Sequence, residues 1–366
     1  MSLAIFLIIL VVLIWVHELG HFSVAKLFKV RVEEFSIGFP PRIFRVRRGG
    51  TQYSLGLLLV GGYVKIFGED PGEGRGDSRS LNSRSRWVQA AVLAAGVAFN
   101  LVFAWLLLSA GYMTGLPTPK EHAGFGEVSD VRTTVAGVLP DSPAERAGLL
   151  PGDVVSAIKT GSTEFSKGNA ESARAFIAAH ADESMIVAVL RPSATEGGFE
   201  QKTFLAKPEE GMIEGRKALG VELGDYGILR LPPHLAFAQG AILAERITVE
   251  SARGLGRFLG ELLRGTADFS AVAGPVGIAG AGAQAVQSGF GTAIIITALI
   301  SINLAIINVL PIPGLDGGRL LILAIEGAVR RSIPERLVTA LTLFGFVLLI
   351  ALMVAVTASD IARLIG

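Results

Sequence analysis

The sequence predicts a multi-pass α-helical membrane protein with about four transmembrane helices, a membrane-associated β-hairpin and an inserted α+β domain. Hydrophobic residues make up 51% of the 366 residues and charged residues only 18%, which is too apolar for an ordinary soluble protein. Four apolar runs are each long enough to cross a bilayer. Between the second and third runs, residues 118–233 have the composition of one soluble domain.

The charge balance and the lack of cysteine exclude several classes of function. Lys plus Arg (33) and Asp plus Glu (32) leave a formal net charge of +1, so we expect no nucleic-acid partner. Without cysteine the chain has no disulfides, no catalytic thiol and no cysteine-bound zinc. Any metal ion must therefore be bound by His, Asp or Glu.

The first predicted element, residues 1–30, is a retained transmembrane helix. Ser2 to Val16 is an apolar run with no basic residue before it and no small-residue cleavage site after it, which is untypical of a signal peptide. The run continues to Phe28 and is long enough to span if its polar residues face protein or water.

This helix contains the segment HELGH, from His17 to His21. Residues four apart lie on one face of a helix, so both imidazoles can bind one zinc ion while Glu18 reaches a water molecule on it. At about 1.5 Å per residue, His17 lies about 22 Å into a ~30 Å hydrocarbon core, near its cytoplasmic side. The alternative is that these are buried polar residues forming hydrogen bonds between helices.

Residues 31–86 are predicted to form a β-hairpin, because Arg31 to Phe39 and Gln52 to Phe67 alternate or run apolar with glycines between them. The run Leu55 to Val60 is too short to span a membrane and too apolar for water. It either dips into the membrane interface against protein or belongs to an ordinary hairpin packed on the helices. The sequence leaves both possibilities open.

The remaining spans are predicted at about Val88 to Tyr112, within residues 87–115, and at Ala293 to Leu310 and Leu337 to Val356, within residues 291–366. Basic residues concentrate between the first two spans and in the loop before the fourth. By the positive-inside rule these two loops are cytoplasmic, and both termini and the inserted domain are extracytoplasmic.

Residues 234–290 are predicted to form an amphipathic helix at Leu235 to Leu263, followed by a Gly- and Ala-rich segment. Charged residues recur on one side of the helix, as expected for a helix along the outer membrane surface. The Gly- and Ala-rich segment is expected to pack closely against neighbouring helices.

A third metal ligand is predicted at Asp316, in the segment NVLPIPGLDGG after the third span. Its prolines and glycines break the helix at membrane depth, which is tolerated only where the backbone is buried in protein or lines a cavity. The alternative is that Asp316 merely caps a helix at Arg319 to Val329. Three weaker rivals, none of them in a helix break, are Glu33, Glu34 and Glu326.

The pairing of HELGH with NVLPIPGLDGG resembles the site-2 protease family of intramembrane metalloproteases. Four further segments look like the bacterial RseP-type branch, so that the resemblance covers nearly the whole chain: GFP at Gly38 to Pro40, GGYVKIFGE at Gly61 to Glu69, GVAFN at Gly96 to Asn100 and GPVGIA at Gly274 to Ala279.

The resemblance implies that His17, His21 and Asp316 bind Zn²⁺ and that Glu18 is the catalytic base. It implies regulated intramembrane proteolysis of single-pass membrane proteins, such as anti-sigma factors or leftover signal peptides. The location that it implies is the bacterial cytoplasmic (inner) membrane, with the active site near the cytoplasmic face.

The resemblance also implies supporting roles for other residues. Asn308 and Asn100 match asparagines near the active site of the family. Gly61 and Gly62 belong to the hairpin, which in this family is implicated in presenting the substrate in extended form.

The inserted domain looks like a PDZ domain, because Val135 to Ile158 reads as a strand, a short helix at Pro143 to Ala147, a Gly turn and a second strand. A circular permutation would place its peptide-binding strand at Ala218 to Leu223. Such a strand binds a peptide or a substrate ectodomain by adding it to the sheet edge; the alternative is a plug that excludes large substrates. Some RseP-type relatives carry two such domains, whereas this chain has room for one.

Two other classes of function compete with a protease. A catalytically silent scaffold that holds partners with the inserted domain predicts no bound zinc. A transporter is the second competitor, since intramembrane His, Glu and Asp also mark ion paths. The sequence shows no internal symmetry of the kind that transporters usually have.

Overall fold

The computed structural model describes residues 2–69, 73–74, 76–166, 168–193, 198–213, 216–269, 274–287, 289–331 and 333–365. Its helices are α1 (Ser2–Leu27), α2 (Arg86–Thr114), α3 (Pro143–Ala147), α4 (Ala170–Ala179), α5 (Pro233–Arg264), α6 (Pro275–Gln287), α7 (Phe290–Val309), α8 (Asp316–Val329) and α9 (Glu335–Ile365). Its strands are β1 (Val32–Arg48), β2 (Thr51–Ile66), β3 (Leu116–Pro119), β4 (Ser129–Val138), β5 (Val154–Thr160), β6 (Thr163–Phe165), β7 (Met185–Ser193), β8 (Gly198–Ala206), β9 (Glu209–Ile213), β10 (Arg216–Ala218) and β11 (Val221–Leu229).

The chain divides into two compact units. Unit 1 comprises Met1–Leu108, Gly240–Ala283 and Ile295–Gly366. Unit 2 comprises Ser109–Gln239 and Gln284–Ile294.

Four of the described helices are long and apolar enough to cross a membrane, as the sequence predicts. The candidate spans are Ala4–Leu27, Arg86–Thr114, Phe290–Val309 and Glu335–Ala362. Helix α9 continues well past the predicted end of its span at Val356. Bilayer thickness limits the apolar part of a helix, and the backbone can stay helical beyond it.

The predicted hairpin is present in unit 1, but its first strand is longer than expected. Strand β1 continues through Pro40 to Arg48 and pairs with β2. Both strands fold back, so that one residue can have a partner on each side: Glu34 lies opposite both Gln52 and Lys65. The segment 34–37 therefore has neighbours on both sides, while 42–48 pairs with 51–56 at one margin of the sheet.

A buried carboxylate holds this fold-back together. Glu34 accepts hydrogen bonds from Arg42 Nε at 2.9 Å, from Arg42 Nη2 at 2.7 Å and from Ser54 Oγ at 2.6 Å. Burial by itself would raise the pKa of the Glu34 carboxyl, but these hydrogen bonds outweigh it and leave the pKa below its ordinary value. Glu34 is thus ionised and bonded to two segments of the sheet at once.

The base of the hairpin packs against α1 and α2 through a small apolar core. Its buried members are Ala25, Val30, Val32, Ile66, Leu81, Val88 and Val92. Residues from the two helices and both strands thus share one cluster, and their burial fixes the hairpin on α2 and on α1, which carries the HELGH segment.

Unit 2 contains a seven-stranded sheet with the order β3-β11-β4-β5-β7-β8, and β6 pairs with β5. The predicted sequence of strand, short helix and strand is observed as β4, α3 and β5. Ser142 begins α3 by accepting a hydrogen bond from the backbone N–H of Glu145 at 3.2 Å, and Gly148 ends it in the left-handed region at φ 93°. The core of this sheet includes Val135, Ile158, Met185 and Val189.

The strand predicted at Ala218 to Leu223 is interrupted. Ala218 ends β10, and β11 begins only at Val221. Gly220 between them adopts φ +76°, a conformation that favours glycine and breaks an extended strand.

Helix α6 confirms the close packing predicted for the Gly- and Ala-rich segment. A Cβ added to Gly282 would lie under 3.0 Å from the ring of Phe6 on α1. At the start of α6, Asp360 of α9 accepts hydrogen bonds from the backbone N–H groups of Gly274 at 3.2 Å and Gly277 at 2.8 Å. A carboxylate from one helix therefore satisfies the first N–H groups of another.

Candidate metal centre

The two histidines of HELGH face the protein interior from α1. Both side chains are buried, and their Nε2 atoms lie 3.2 Å apart. This follows from the helical repeat, which stacks residues four apart on one face. The helix therefore offers two nitrogen ligands at one point.

Asp316 is the first residue of α8 and is brought to the histidines by a tight reversal after α7. A Cβ added to Gly317 would lie under 3.0 Å from the backbone oxygen of Val309, and one added to Gly318 equally close to that of Ile312. These two glycines let the start of α8 press against the reversal. Helix α8 therefore begins at Asp316, earlier than the predicted start at Arg319.

The structure does not support the alternative role of Asp316 as a helix cap. Leu315 is the N-cap residue of α8, and no side chain caps this end. The Asp316 carboxylate instead points at the histidines. Its Oδ2 atom lies 3.1 Å from His17 Nε2 and 3.3 Å from His21 Nε2.

The three ligand atoms form a triangle that fits a zinc ion. Bonds of about 2.0–2.1 Å in a tetrahedral arrangement separate ligand atoms by about 3.3–3.4 Å. The observed separations of 3.1, 3.2 and 3.3 Å are close to this value. Asp316 Oδ2 is buried and forms no hydrogen bond with the described residues, so a cation here would satisfy it.

Helix α2 orients both imidazoles from behind. His21 Nδ1 lies 2.8 Å from the backbone oxygen of Val92, so it donates its N–H there and turns the Nε2 lone pair to the centre. His17 Nδ1 lies 3.4 Å from the side-chain amide of Asn100, which is fully buried. The sequence-predicted support from Asn100 thus has a contact that can carry it.

The amide of Asn100 fits metal binding best with its oxygen toward His17. An imidazole that uses Nε2 for a metal carries its proton on Nδ1 and needs an acceptor there. As placed, Asn100 Oδ1 has no hydrogen-bond partner among the described residues. Exchanging the amide oxygen and nitrogen brings Oδ1 to His17 Nδ1, where it can accept the N–H of the imidazole.

Glu18 is held beside the centre by the hairpin. Its Oε2 atom accepts a hydrogen bond from the backbone N–H of Val64 on β2 at 3.0 Å. A Cβ added to Gly62 would lie 3.9 Å from Glu18 Cγ, whereas Gly61 packs against the ring of Phe39. Of the two predicted glycines, Gly62 is therefore the one next to Glu18.

The other predicted candidates are a half-buried asparagine and three carboxylates that are bonded elsewhere. Asn308 lies near the end of α7, and its side chain forms no hydrogen bond with the described residues. Glu33 pairs with Arg31 and Lys65, Glu34 with Arg42, and Glu326 accepts from the backbone N–H of Ile333. Within the described residues, His17, His21 and Asp316 are the group whose ligand atoms all lie within 4.8 Å of one another.

Comparison with known protein families agrees with this arrangement of residues. The model of peptidase family M50 matches residues 5–352, nearly the entire chain. The chain belongs to peptidase family M50. The resemblance to the site-2 protease family that its motifs predict is thereby confirmed.

This M50 chain is similar to bacterial proteins along almost its full length. A Nostoc protein is 34% identical over 362 residues, covering 96% of this chain and 93% of the relative. A Clostridium perfringens protein is 34% identical over 358 residues, covering 95% of each, and one from Campylobacter jejuni is 29% identical over 360 residues, covering 97% and 91%. All three bear names that assign them provisionally as zinc metalloproteases.

Sequence reasoning missed the part that Gly96 plays in the M50 site. A Cβ added to Gly96 would lie under 3.0 Å from His21 Nε2 and from His17 Nε2. A Cβ added to Gly20 would lie equally close to the backbone of Ala95. The available signal was a glycine in the middle of an apolar helix, which costs about 1 kcal/mol relative to alanine and thus needs a reason.

Proposed function

We propose that this M50 chain is an intramembrane zinc metalloendopeptidase of the site-2 type. It cuts single-pass membrane proteins within or beside their transmembrane segments, in regulated intramembrane proteolysis. The observation that carries the proposal is the triangle that His17 and His21 of the apolar helix α1 form with Asp316 of α8, with Glu18 held beside it. The names of the relatives favour zinc as the metal.

The chemistry divides between the metal and Glu18. When bound, Zn²⁺ supplies a Lewis acid that lowers the pKa of a water molecule and polarises the scissile carbonyl. Glu18 accepts the proton of the attacking water and delivers it to the departing amine nitrogen. Asn100 and the backbone oxygen of Val92 keep the two imidazoles in the required tautomer.

Strand β2 offers an edge on which a substrate can be held in extended form. The amides of a substrate helix are satisfied internally, so the segment must unwind before its carbonyl can be attacked. Val64 donates its N–H to Glu18, away from β1, and residues two apart in a strand point the same way. The backbone of Gly62 therefore faces the side of Glu18, where an extended substrate can pair with it.

The outer part of the hairpin suits a membrane interface. Ile43 is 63% exposed, Phe44 61% and Leu57 57%, a larger apolar surface than a soluble hairpin leaves in water. Arg45, Arg47 and Arg48 follow Ile43 and Phe44 in the same strand. We place this hairpin and the active site near the cytoplasmic face of the bacterial cytoplasmic membrane, in accord with the positive-inside rule.

Unit 2 is proposed to be an extracytoplasmic PDZ-type domain. Strand β3 pairs with β11 only from Tyr226 to Leu229, so the start of β11 at Val221 has that side free of the described strands. Helix α4 lies against β11, where the backbone N–H of Ala170 donates to Asp225 at 2.8 Å. An extended peptide from a substrate ectodomain can add to this edge.

Substrates with and without an ectodomain distinguish recognition by unit 2 from simple exclusion. If the domain recognises substrate, a small ectodomain accelerates cleavage of the same transmembrane segment. If the domain is a plug, every ectodomain slows cleavage, and larger ones slow it more.

The central test is the substitution Glu18→Gln. The purified variant is expected to keep its fold and its zinc content while cleavage of a model transmembrane substrate falls about 10²–10⁴-fold, the range of a general base. Metal analysis and a cleavage assay on wild type and variant measure both quantities. An active Glu18→Gln protein would contradict the assigned role.

The same measurements separate the competing classes of function. A silent scaffold leaves the wild type without stoichiometric zinc and without cleavage. A transporter moves ions across vesicle membranes and leaves the model substrate intact whether or not zinc is bound.

A further inference from the structure

Arg319 joins the helix that carries Asp316 to the hairpin. It lies three residues after Asp316 on α8, so the two side chains project from neighbouring positions of the first turn. Its Nη1 donates to Oε1 of Glu69, and its Nη2 donates to the backbone oxygen of Glu69. The two residues are 250 positions apart in the sequence.

Glu69 stands on a turn that is itself well anchored. The turn follows β2, and the backbone N–H of Glu69 donates to the oxygen of Ile66 at 3.1 Å. The N–H of Phe67 donates to the oxygen of Arg31 at 2.9 Å, and the oxygen of Phe67 accepts from Leu81 at 2.9 Å. Arg319 therefore binds a turn whose backbone is held in place by these three hydrogen bonds.

This contact differs from an ordinary surface ion pair. The Arg319 side chain is 34% exposed and that of Glu69 28%, so neither is fully in water. A guanidinium that contacts two oxygens at once also fixes direction, which a single point contact does not. Exposed ion pairs, by contrast, are flexible and contribute little to stability.

The contact completes a chain of bonds across the candidate site. Strand β2 holds the catalytic carboxylate through Val64, and the turn at its end holds α8 through Arg319. The first turn of α8 has no side-chain cap, and its glycines restrain it only by close packing. A directional contact at Arg319 sets how the turn is rotated, and hence where the Asp316 carboxylate points.

We propose that Arg319 and Glu69 form a clamp that positions Asp316 for metal binding and couples its helix to the hairpin beside Glu18. Arg319 is a positioning residue, since its side chain bonds to Glu69 and acts on the centre through α8. The clamp rests on the proposed function, because Asp316 must be a metal ligand for its position to matter.

Cobalt binding tests the clamp without depending on catalysis. The full chain in detergent is freed of metal and titrated with Co²⁺, whose visible absorption reports both affinity and the geometry of the ligands. The variants are Arg319→Ala, Glu69→Gln and the double substitution. Matched controls are Arg331→Ala, an exposed arginine, and Asp77→Asn, which removes the exposed pair with Arg79.

Each single substitution in the clamp is expected to weaken Co²⁺ binding about 10–100-fold, the range for residues that orient metal ligands, and to alter the visible spectrum. The double variant is expected to have the same Co²⁺ affinity as whichever single variant binds Co²⁺ more weakly, because the two side chains act through one contact. Both controls are expected to match the wild type in affinity and spectrum.

Wild-type affinity and spectrum in Arg319→Ala and Glu69→Gln would overturn the clamp, and so would losses that add in the double variant. If Arg319→Ala fails to fold, Glu69→Gln decides alone, because it keeps the size of the side chain and removes only its charge. A wild type that binds no Co²⁺ at all would overturn the proposed function together with the clamp. The two failures are therefore distinguishable.

Discussion

At the scale of single residues, the candidate centre depends on a glycine without a side chain as much as on the metal ligands. Gly96 has no side chain, and this lets α2 lie against both imidazoles. The same close approach brings the backbone oxygen of Val92 and the amide of Asn100 within reach of the ring nitrogens. Protein interiors are too densely packed to absorb an extra carbon at such a point without a shift of the backbone.

The substitution Gly96→Ala is therefore expected to abolish metal binding and cleavage. Its methyl group would occupy the space of the ligand nitrogens, so α2 must move away from α1. Metal content of the purified variant and cleavage of the model substrate measure the effect.

A matched control for Gly96→Ala is Gly260→Ala on α5. No atom lies within 4 Å of a Cβ added there, so the methyl group meets no obstacle. This control should retain full activity and gain up to about 1 kcal/mol of helix stability, since alanine is the better helix former. Normal zinc content in Gly96→Ala would show that the contact is not limiting.

At the scale of elements, the hairpin has an apolar core at its base and an ionised carboxylate, Glu34, where its strands fold back. Glu34 bonds to Arg42 at one margin of the sheet and to Ser54 in the neighbouring segment. These hydrogen bonds join the three strand segments that contain Glu34, Arg42 and Ser54, and so hold β1 and β2 in their folded-back arrangement. The strand that holds Glu18 belongs to the same sheet, so its position depends on the network.

The substitution Glu34→Gln is expected to destabilise the hairpin by about 1.5–3 kcal/mol at pH 7, the range for hydrogen bonds to a charged group. The folded-state pKa of Glu34 is lowered, so its contribution is present above the unfolded pKa of about 4.3. It is lost as the pH falls through the folded-state pKa. Thermal unfolding of wild type and variant from pH 7 down to pH 3 should show the two curves converging.

The neighbouring substitution Glu33→Gln is the control for Glu34→Gln. Glu33 pairs with Arg31 and Lys65 at more exposed positions, and such pairs contribute little. Equal effects of the two substitutions, or a difference that does not shrink in acid, would contradict a special role for Glu34.

At the scale of the whole molecule, the candidate centre joins helices that are far apart in the sequence but lie in one unit. His17 and His21 come from the first helix, and Asp316 comes from the eighth. A metal ion between them acts as a cross-link that only the folded chain can bind. Its binding free energy therefore adds to the stability of the fold.

Removal of zinc with a chelator is expected to lower the unfolding temperature of the wild type. At a free zinc concentration one hundred times the Kd, the metal stabilises the folded state by about 2.7 kcal/mol. Thermal unfolding with zinc and with chelator measures this difference. The variant Asp316→Asn loses a ligand and should respond much less, and an equal response in both proteins would contradict the assignment of Asp316.

Local sequence patterns determined the spans, the hairpin and the two histidines with their glutamate, because each depends on residues a few positions apart in a helix or strand. The helix break at membrane depth indicated Asp316, and the resemblance to a known family supported it and added Asn100. The tertiary structure alone decided that Gly96 lies against the imidazoles, that Val64 donates a hydrogen bond to Glu18 and that Arg319 pairs with Glu69. Such contacts follow from how helices and strands far apart in the chain pack together, and no pattern within one segment contains that information.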